Sequence, residues 1–414
     1  MSATSKFTTL LRRYAPTAAV LTVSLGLAGC TAAADEGTPE ATLHFQELFA
    51  PGHAFADADL AYSEAVMAQT DGAVDFKFHW SSSVVPSDQV AGAMDDDLID
   101  MARLQPPASP ADYPVTNWMA SAAHQSTPAF PAGLLQQVGA HLEFAVNSEE
   151  LTTELDNLGI RYIAPLALVQ QYDLLCDRPI ETMDDFEGTR VRVAGAAWVS
   201  EMQAIGAEPV SLPAEEIYEG FQRGIVDCVM TYPTHYVDSG LWELGGYYIP
   251  LSFTGWNQDA IAISQTTWDN LSAETHEALE NQVRVWIEEF IQSQIYAYWQ
   301  FAVEGEEHGV EFLDHDPEMQ AAIDDYHGTV REHMITTAPA QVDDPAQMLT
   351  EYEQLHAEWL PIVEELGFDT ELTGLNEWVS SLEDPTQPPE IDLDPWLDVV
   401  MERAFGPSET ETNK

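Results

Sequence analysis

The chain has 414 residues, 45% of them apolar, with 14 basic and 70 acidic residues and a formal net charge of −56. Enough apolar residues are present to build a core, which excludes a disordered polyacid. The charge excludes nucleic acid as a partner, and its self-repulsion is screened only in molar salt, where the Debye length is about 3 Å, so the composition reads as a halophile's extracellular protein.

At the N-terminus Lys6, Arg12 and Arg13 precede an apolar stretch from Ala18 to Ala28 and then Leu27-Ala28-Gly29-Cys30. Small residues ahead of a cysteine at this distance form a lipobox. Residues 1–29 are therefore expected to be a lipoprotein signal peptide and Cys30 the lipidated first residue of the processed chain. The apolar run is too short to span a bilayer. Residues 30–41, small and polar, read as a flexible tether. These features predict an extracytoplasmic protein anchored by lipid to the outer face of the cell membrane. Processing removes three basic and no acidic residues, which leaves 11 basic against 70 acidic and a formal charge of −59. Only two lysines then remain, Lys77 and Lys414.

Residues 42–54 predict an opening strand and a loop carrying His53. A helix over 55–69, an alternating strand over 74–80 and a helix over 94–101 follow. Loop and helix are expected over 117–142, a helix over 149–158 and a strand over 161–168. The first part of lobe I is thus 42–168, and the chain crosses into lobe II (169–250) near 168–172. There Val191 and Val193 alternate with Arg190 and Arg192 in a strand, Gly195 breaks it, and 196–204 forms a helix ending before Gly206. A short strand at 209–212 and a helix over 214–223 closed by Gly224 come next. A helix over 237–245 precedes the return to lobe I, assigned to 251–335 together with a spine helix. Ser272 can cap that helix, and Leu279, Val283, Trp286, Phe290, Ile291, Ile295 and Tyr298 recur along it at helical spacing. Further helices are expected at 317–335, 345–366, 371–382 and 396–405. Residues 336–406 pack on the lobes, and 407–414 form a disordered tail. Strands alternating with helices, with two chain crossings, predict an α/β protein of two lobes with a cleft between them.

Five of the 11 basic residues of the processed chain, Arg161, Arg178, Arg190, Arg192 and Arg223, fall within 63 residues. Clustered cations in a polyanion point to an anion site. For Arg178, Arg190 and Arg223, pairing with neighbours such as Asp184, Asp185, Glu187 and Glu219 accounts for them. Cys176 and Cys228 both belong to lobe II. Outside the membrane they can form a disulfide, or remain two buried thiols; the sequence leaves both open.

Three runs stand in fixed order from Asp185 to Asp227: Asp-x-x-Gly-x-Arg-Val-Arg-Val (185–193), Gly-Ala-x-Pro-Val (206–210) and Glu-Ile-Tyr-x-x-Phe-Gln-x-Gly-Ile-Val-Asp (216–227). In them the chain resembles the solute-binding proteins of TRAP transporters, the DctP-like family, with weaker likeness over 42–400. The resemblance implies a two-lobe periplasmic-binding-protein-like fold with a long spine helix spanning both lobes and extra C-terminal helices. It implies hinge closure on a small solute, delivery to TRAP membrane permease subunits, and neither catalysis nor a cofactor or metal.

In the resembling family the arginine at the position of Arg192 grips the substrate carboxylate, for which a planar guanidinium fork is well suited. The chain also departs from the family. A second arginine is replaced at about Tyr172, which argues against a simple C4-dicarboxylate. Ala214 stands where an aromatic residue often packs on the ligand. The usual asparagine ligand is lost or replaced by Thr231 or Tyr232. Tyr172, Trp198, Tyr232 and Trp256 supply candidate rings, and His53 a candidate donor. A ring-lined cleft with one arginine suits a monocarboxylate or a zwitterion, such as an ectoine-like compatible solute whose cation lies over a ring. The alternatives are a binding lipoprotein that feeds an ABC transporter or a sensor kinase, and an extracellular enzyme. The chain lacks Gly-x-Ser-x-Gly, His-Glu-x-x-His, a P-loop and an acidic calcium loop.

Overall fold

The computed structural model describes residues 39–166, 169–256, 259–372 and 374–406, and Pro39 onward forms one compact unit. The expectations for the signal peptide, Cys30 and the 407–414 tail lie outside the described residues. Eleven strands are found among the described residues: β1 (Ala41–Gln46), β2 (Val74–His79), β3 (Met101–Leu104), β4 (Ile160–Leu166), β5 (Val169–Cys176), β6 (Arg190–Val193), β7 (Glu208–Ser211), β8 (Cys228–Thr231), β9 (Gly246–Trp256), β10 (Asp259–Ser264) and β11 (Val310–Phe312). They form two sheets, ordered β2-β1-β3-β10-β4 and β11-β9-β5-β8-β6-β7. Each sheet is the centre of one lobe. The chain passes from the first to the second between β4 and β5, and returns between β9 and β10. β9 stays in register with β5 as far as the pair Val169–Trp256 and so belongs to the second sheet along its whole length.

Burial dictates the strand composition. All four residues of β3 and all six of β10 are buried, so these central strands are covered on both faces and lack polar alternation. In the second lobe β6 runs parallel to both β7 and β8, and β8 pairs antiparallel with β5. Cys176 and Cys228 stand directly opposite in that pairing and are joined by a disulfide. The glycines of the three sequence runs have a backbone reason: Gly188, Gly206 and Gly224 have φ of 74°, 86° and 64°, a region that costs a side-chain-bearing residue energy.

Several helices depart from the sequence expectation. The helix expected over 94–101 is Val90–Asp95 instead. It stops because Asp97 takes a left-handed φ of 55° and the Leu98 N–H turns back to the Ala93 carbonyl. The segment expected to be one helix over 237–245 is the helix Pro233–Asp238 and a 3-10 turn Leu241–Leu244, separated at Gly240, whose φ is 70°. The spine is likewise two helices, Ala273–Asn281 and Val283–Glu304. Ser272 caps the first by accepting from the Thr275 N–H. At the break the Leu279 carbonyl accepts from the Tyr62 hydroxyl at 3.0 Å.

The second spine helix ties the lobes together. Trp286 donates its indole N–H to Asp59 of the helix Ala54–Gln69 in lobe I, at 2.8 Å, while Gln294 bonds Thr234 in lobe II. The C-terminal helices Pro345–Glu365 and Asp394–Phe405 pack on the helix Ala132–Asn147. Gly139 of that helix lets the Trp359 ring lie on its backbone, since a Cβ there would come 2.5 Å from the ring. Arg403 fastens the arrangement through Glu143 and Glu358, both at 2.7 Å. None of the helices among the described residues is long and apolar enough to cross a membrane.

The core of lobe II buries an acid. Asp173 of β5 accepts from the Tyr248 hydroxyl at 3.0 Å and from Gln171 at 3.3 Å, and burial pushes its carboxyl up to about 7. Between its unfolded value near 3.8 and about 7, the folded state keeps a proton that the unfolded chain releases. This group therefore contributes stability at low pH that is lost as pH rises through that window, by about 1.4 kcal/mol per unit. In urea unfolding, the stability difference between wild type and Asp173→Asn is expected to fall with that slope from pH 4.5 to 7; parallel pH profiles would refute it.

Candidate functional site

A cavity of about 40 Å³ lies between the lobes. Lobe I contributes Phe49, Phe55, Arg103 and Gln105, with Asp259 at the start of β10. Lobe II contributes Tyr172, Arg192, Ala214, Thr231, Tyr232 and His235. Arg192 is the third residue of β6, paired with Val210 on one side and Val229 on the other. Its Nε donates to the Leu212 carbonyl at 3.1 Å and its Nη1 to the Met230 carbonyl at 3.3 Å. Two neighbouring strand ends thus fix a guanidinium, 5% exposed, at the carboxyl edge of the sheet. Ligands of open α/β sheets bind at that edge.

Aromatic rings form a continuous wall. Tyr172 stacks on Trp198 with centroids 5.4 Å apart, and Tyr232 lies 5.5 Å from Tyr172. Phe55 faces Tyr232 across the cleft at 6.3 Å. Trp198 is behind Tyr172 rather than on the cavity wall, because its indole N–H is held by the Thr254 carbonyl at 2.8 Å. The side chain of Trp256 lies outside the described residues. Thr231 lines the cavity, with its hydroxyl 3.0 Å from His235 Nδ1. Burial, with Arg192 adding to it, pushes the His235 imidazole down to about 3 and keeps it neutral.

His53 is not on the cavity wall. Its Nδ1 accepts from the Phe55 N–H at 3.3 Å and caps the helix Ala54–Gln69, and its ring stacks on Phe49 at 3.7 Å. Burial lowers its basicity well below the usual range, so the 3.7 Å approach to Asp238 is a neutral contact. Asp238 of lobe II instead accepts from the Ala54 N–H of lobe I at 3.0 Å, a direct bond across the cleft. With the Phe55–Tyr232 contact it shows the lobes touching around the cavity.

The sequence reading missed the floor of this site. Arg103 of β3 is buried, and its guanidinium meets Glu47 at 3.0 Å, Asp59 at 2.6 Å and Asp259. Burial opposes its charge, but the three carboxylates hold it protonated. The available signal was a cation inside the apolar run Met101-Ala102-Arg103-Leu104, in a chain with very few cations. The other arginines of the cluster lie elsewhere. Arg190 makes a bidentate pair with Asp227, Arg223 pairs with Glu219, Arg161 with Glu280, and Arg178 bonds Thr189.

Two sheets joined by two crossings, a spine helix over both, and a pocket at the junction lined by two buried arginines define a two-lobe binding protein. Residues 47–335 match the family model DctP, bacterial extracellular solute-binding protein family 7, and the chain belongs to this family of TRAP solute-binding proteins. Members are receptors rather than enzymes. The ectoine-binding periplasmic protein TeaA of Halomonas elongata is 32% identical over 109 residues, 25% of this chain and 31% of TeaA. The C4-dicarboxylate-binding periplasmic protein DctP of Rhodobacter capsulatus is 28% identical over 103 residues, 25% of this chain and 31% of that protein. The chain thus spans about a third of the length of these curated relatives. Among solved structures, DctP7 of Bordetella pertussis, a receptor binding pyroglutamic acid, superposes with a TM-score of 0.63 at 17% identity, over 76% of this chain and 99% of that one. A TRAP protein of Chromohalobacter salexigens with bound D-glucuronate gives 0.62 at 15%, over 76% and 99%.

Proposed function

We propose that this chain captures a small carboxylate-bearing solute between its lobes, with Arg192 gripping the carboxylate, and delivers it to TRAP permease subunits. The observation that carries the reading is the placement of Arg192, buried at a strand end in the interlobe cavity and held there by two backbone carbonyls. The relatives point the same way, since ectoine, C4-dicarboxylates, pyroglutamate and glucuronate all carry a carboxylate. Tyr172, Thr231 and Tyr232 complete the pocket on the lobe II side, while Trp198 supports Tyr172 from behind and His53 shapes the rim. Closure follows from a ligand bridging both lobes, and the Ala54–Asp238 bond adds to the closed form. Lipidation at Cys30 would keep the receptor beside its permease.

The test is a thermal-shift screen in molar salt with monocarboxylates, 2-oxo acids, dicarboxylates, zwitterions and neutral sugars. A ligand at a hundredfold excess over its dissociation constant stabilises by about 2.7 kcal/mol. Arg192→Ala is expected to weaken the carboxylate that binds by about 10- to 100-fold or more, the worth of a charge-assisted hydrogen bond. Stabilisation by a sugar that survives Arg192→Ala would remove the carboxylate clamp.

A further inference from the structure

The cavity has a second pole that the carboxylate clamp leaves unused. Around Arg103 one guanidinium serves three buried carboxylates, Glu47, Asp59 and Asp259, and no other described cation meets them. Burial drives the Asp59 carboxyl up, against the pull of Arg103. Glu47 is satisfied on both oxygens, by the Arg103 Nε and by the Phe49 N–H at 3.0 Å. Three carboxylates on one guanidinium leave negative charge in excess, burial pushes Asp259 up to about 6, and buried charge needs a partner. Of the three carboxylates only Asp259 reaches the wall of the cavity.

The opposite wall carries Arg192, and Tyr172 lies within electrostatic reach of both Arg192 and Asp259. His235, also on the wall, is neutral and adds no further cation beside Asp259. A simple carboxylate would meet Arg192 but would also bring a further anion next to a cluster in which three carboxylates already share the one guanidinium of Arg103. We infer that the solute is a compact zwitterion whose nitrogen end, cationic and N–H-bearing, sits against Asp259 while its carboxylate meets Arg192. This rests on the Arg192 reading above and narrows it to a substrate class. It also gives closure a physical cause, because the two poles belong to different lobes and one ligand joins them only in the closed form.

The decisive comparison is isothermal titration of the wild-type processed chain in molar salt at pH 7.5. L-Proline is set beside cyclopentanecarboxylate, the same ring with a methylene in place of the ammonium, with ectoine and succinate added. Expected is binding of proline or ectoine, with the carbocycle at least about tenfold weaker than proline wherever proline binds. Asp259→Asn should bring proline and the carbocycle within a few-fold of each other. The wild-type comparison stands alone if that variant folds poorly. A carbocycle that equals proline, succinate binding more tightly than either zwitterion, or no zwitterion binding up to millimolar concentration would each overturn the inference. Arg192→Ala separates the two claims: carboxylates that bind wild type and lose affinity in this variant uphold the clamp even when the zwitterion fails. Unchanged affinity in Arg192→Ala overturns the clamp and, with it, the two-pole assignment.

Discussion

Arg103→Met is expected to lower unfolding free energy by about 3–5 kcal/mol at pH 8, the usual cost of removing one partner from a buried ionic cluster. Methionine keeps much of the volume beside Phe55 and Trp286, whose rings lie 5.4 and 5.8 Å from the guanidinium carbon. The loss is therefore electrostatic rather than a cavity effect. It leaves Glu47, Asp59 and Asp259 buried without a cation. The folded-state pKa values of Asp59 and Asp259, already raised by burial, then rise further, so the deficit grows as pH rises and shrinks towards pH 5. Salt should not rescue it, because a cluster this deeply buried is poorly screened. Urea unfolding followed by tryptophan fluorescence at both pH values measures it. A deficit below about 1 kcal/mol at pH 8 would mean that the cluster carries little stability.

Removal of the Cys176–Cys228 disulfide by the double variant Cys176→Ala, Cys228→Ala should cost about 4 kcal/mol. The bond closes a loop with a sequence separation of 52, and in the chain-entropy account cross-links of that span stabilise chiefly by restricting the unfolded chain. Both cysteines are fully buried on adjacent strands, β5 and β8. β8 also pairs with β6, which carries Arg192, so the disulfide anchors the strands behind the site. Alanine avoids placing a hydroxyl in the core. Urea midpoints for wild type and the variant, both under non-reducing conditions, test the estimate. Coincident midpoints would show that the bond adds nothing to the native state.

Ligand capture and these stability terms share one physical theme. With so few cations, single arginines govern whole regions: buried Arg103 the floor of the cleft, buried Arg192 its far wall, and half-buried Arg403 the docking of the last helix. The buried positions of Arg103 and Arg192 make them insensitive to the molar salt that screens the surface acids.

Much of this was legible along the chain. Local sequence carried the strand of Arg190 to Val193, the helix Ala196–Ala204 and the left-handed turns at Gly188, Gly206 and Gly224. Each depends on alternation or on backbone freedom within a few residues. The family resemblance rested on these same elements, as did the choice of Arg192. The Ser272 cap was equally local, but the break after Asn281 was not, since the Tyr62 hydroxyl that bonds there comes from 217 residues away.

The pocket itself needed the tertiary structure. Glu47, Asp59, Arg103 and Asp259 come from four separate segments and meet only when β1, β3, β10 and the helix after β1 are packed together. In a chain with 70 acidic residues, nothing local distinguishes the acid that lines a cavity from the many that face water. Trp198 and His53 show the same limit, for packing placed one behind Tyr172 and the other at a helix cap. Local pattern determined the elements, the family and the arginine of β6, because those follow from period and turn chemistry. Burial decided which charges meet, because an ionic partner is set by distance in space and by the exclusion of water, and neither is written along the chain.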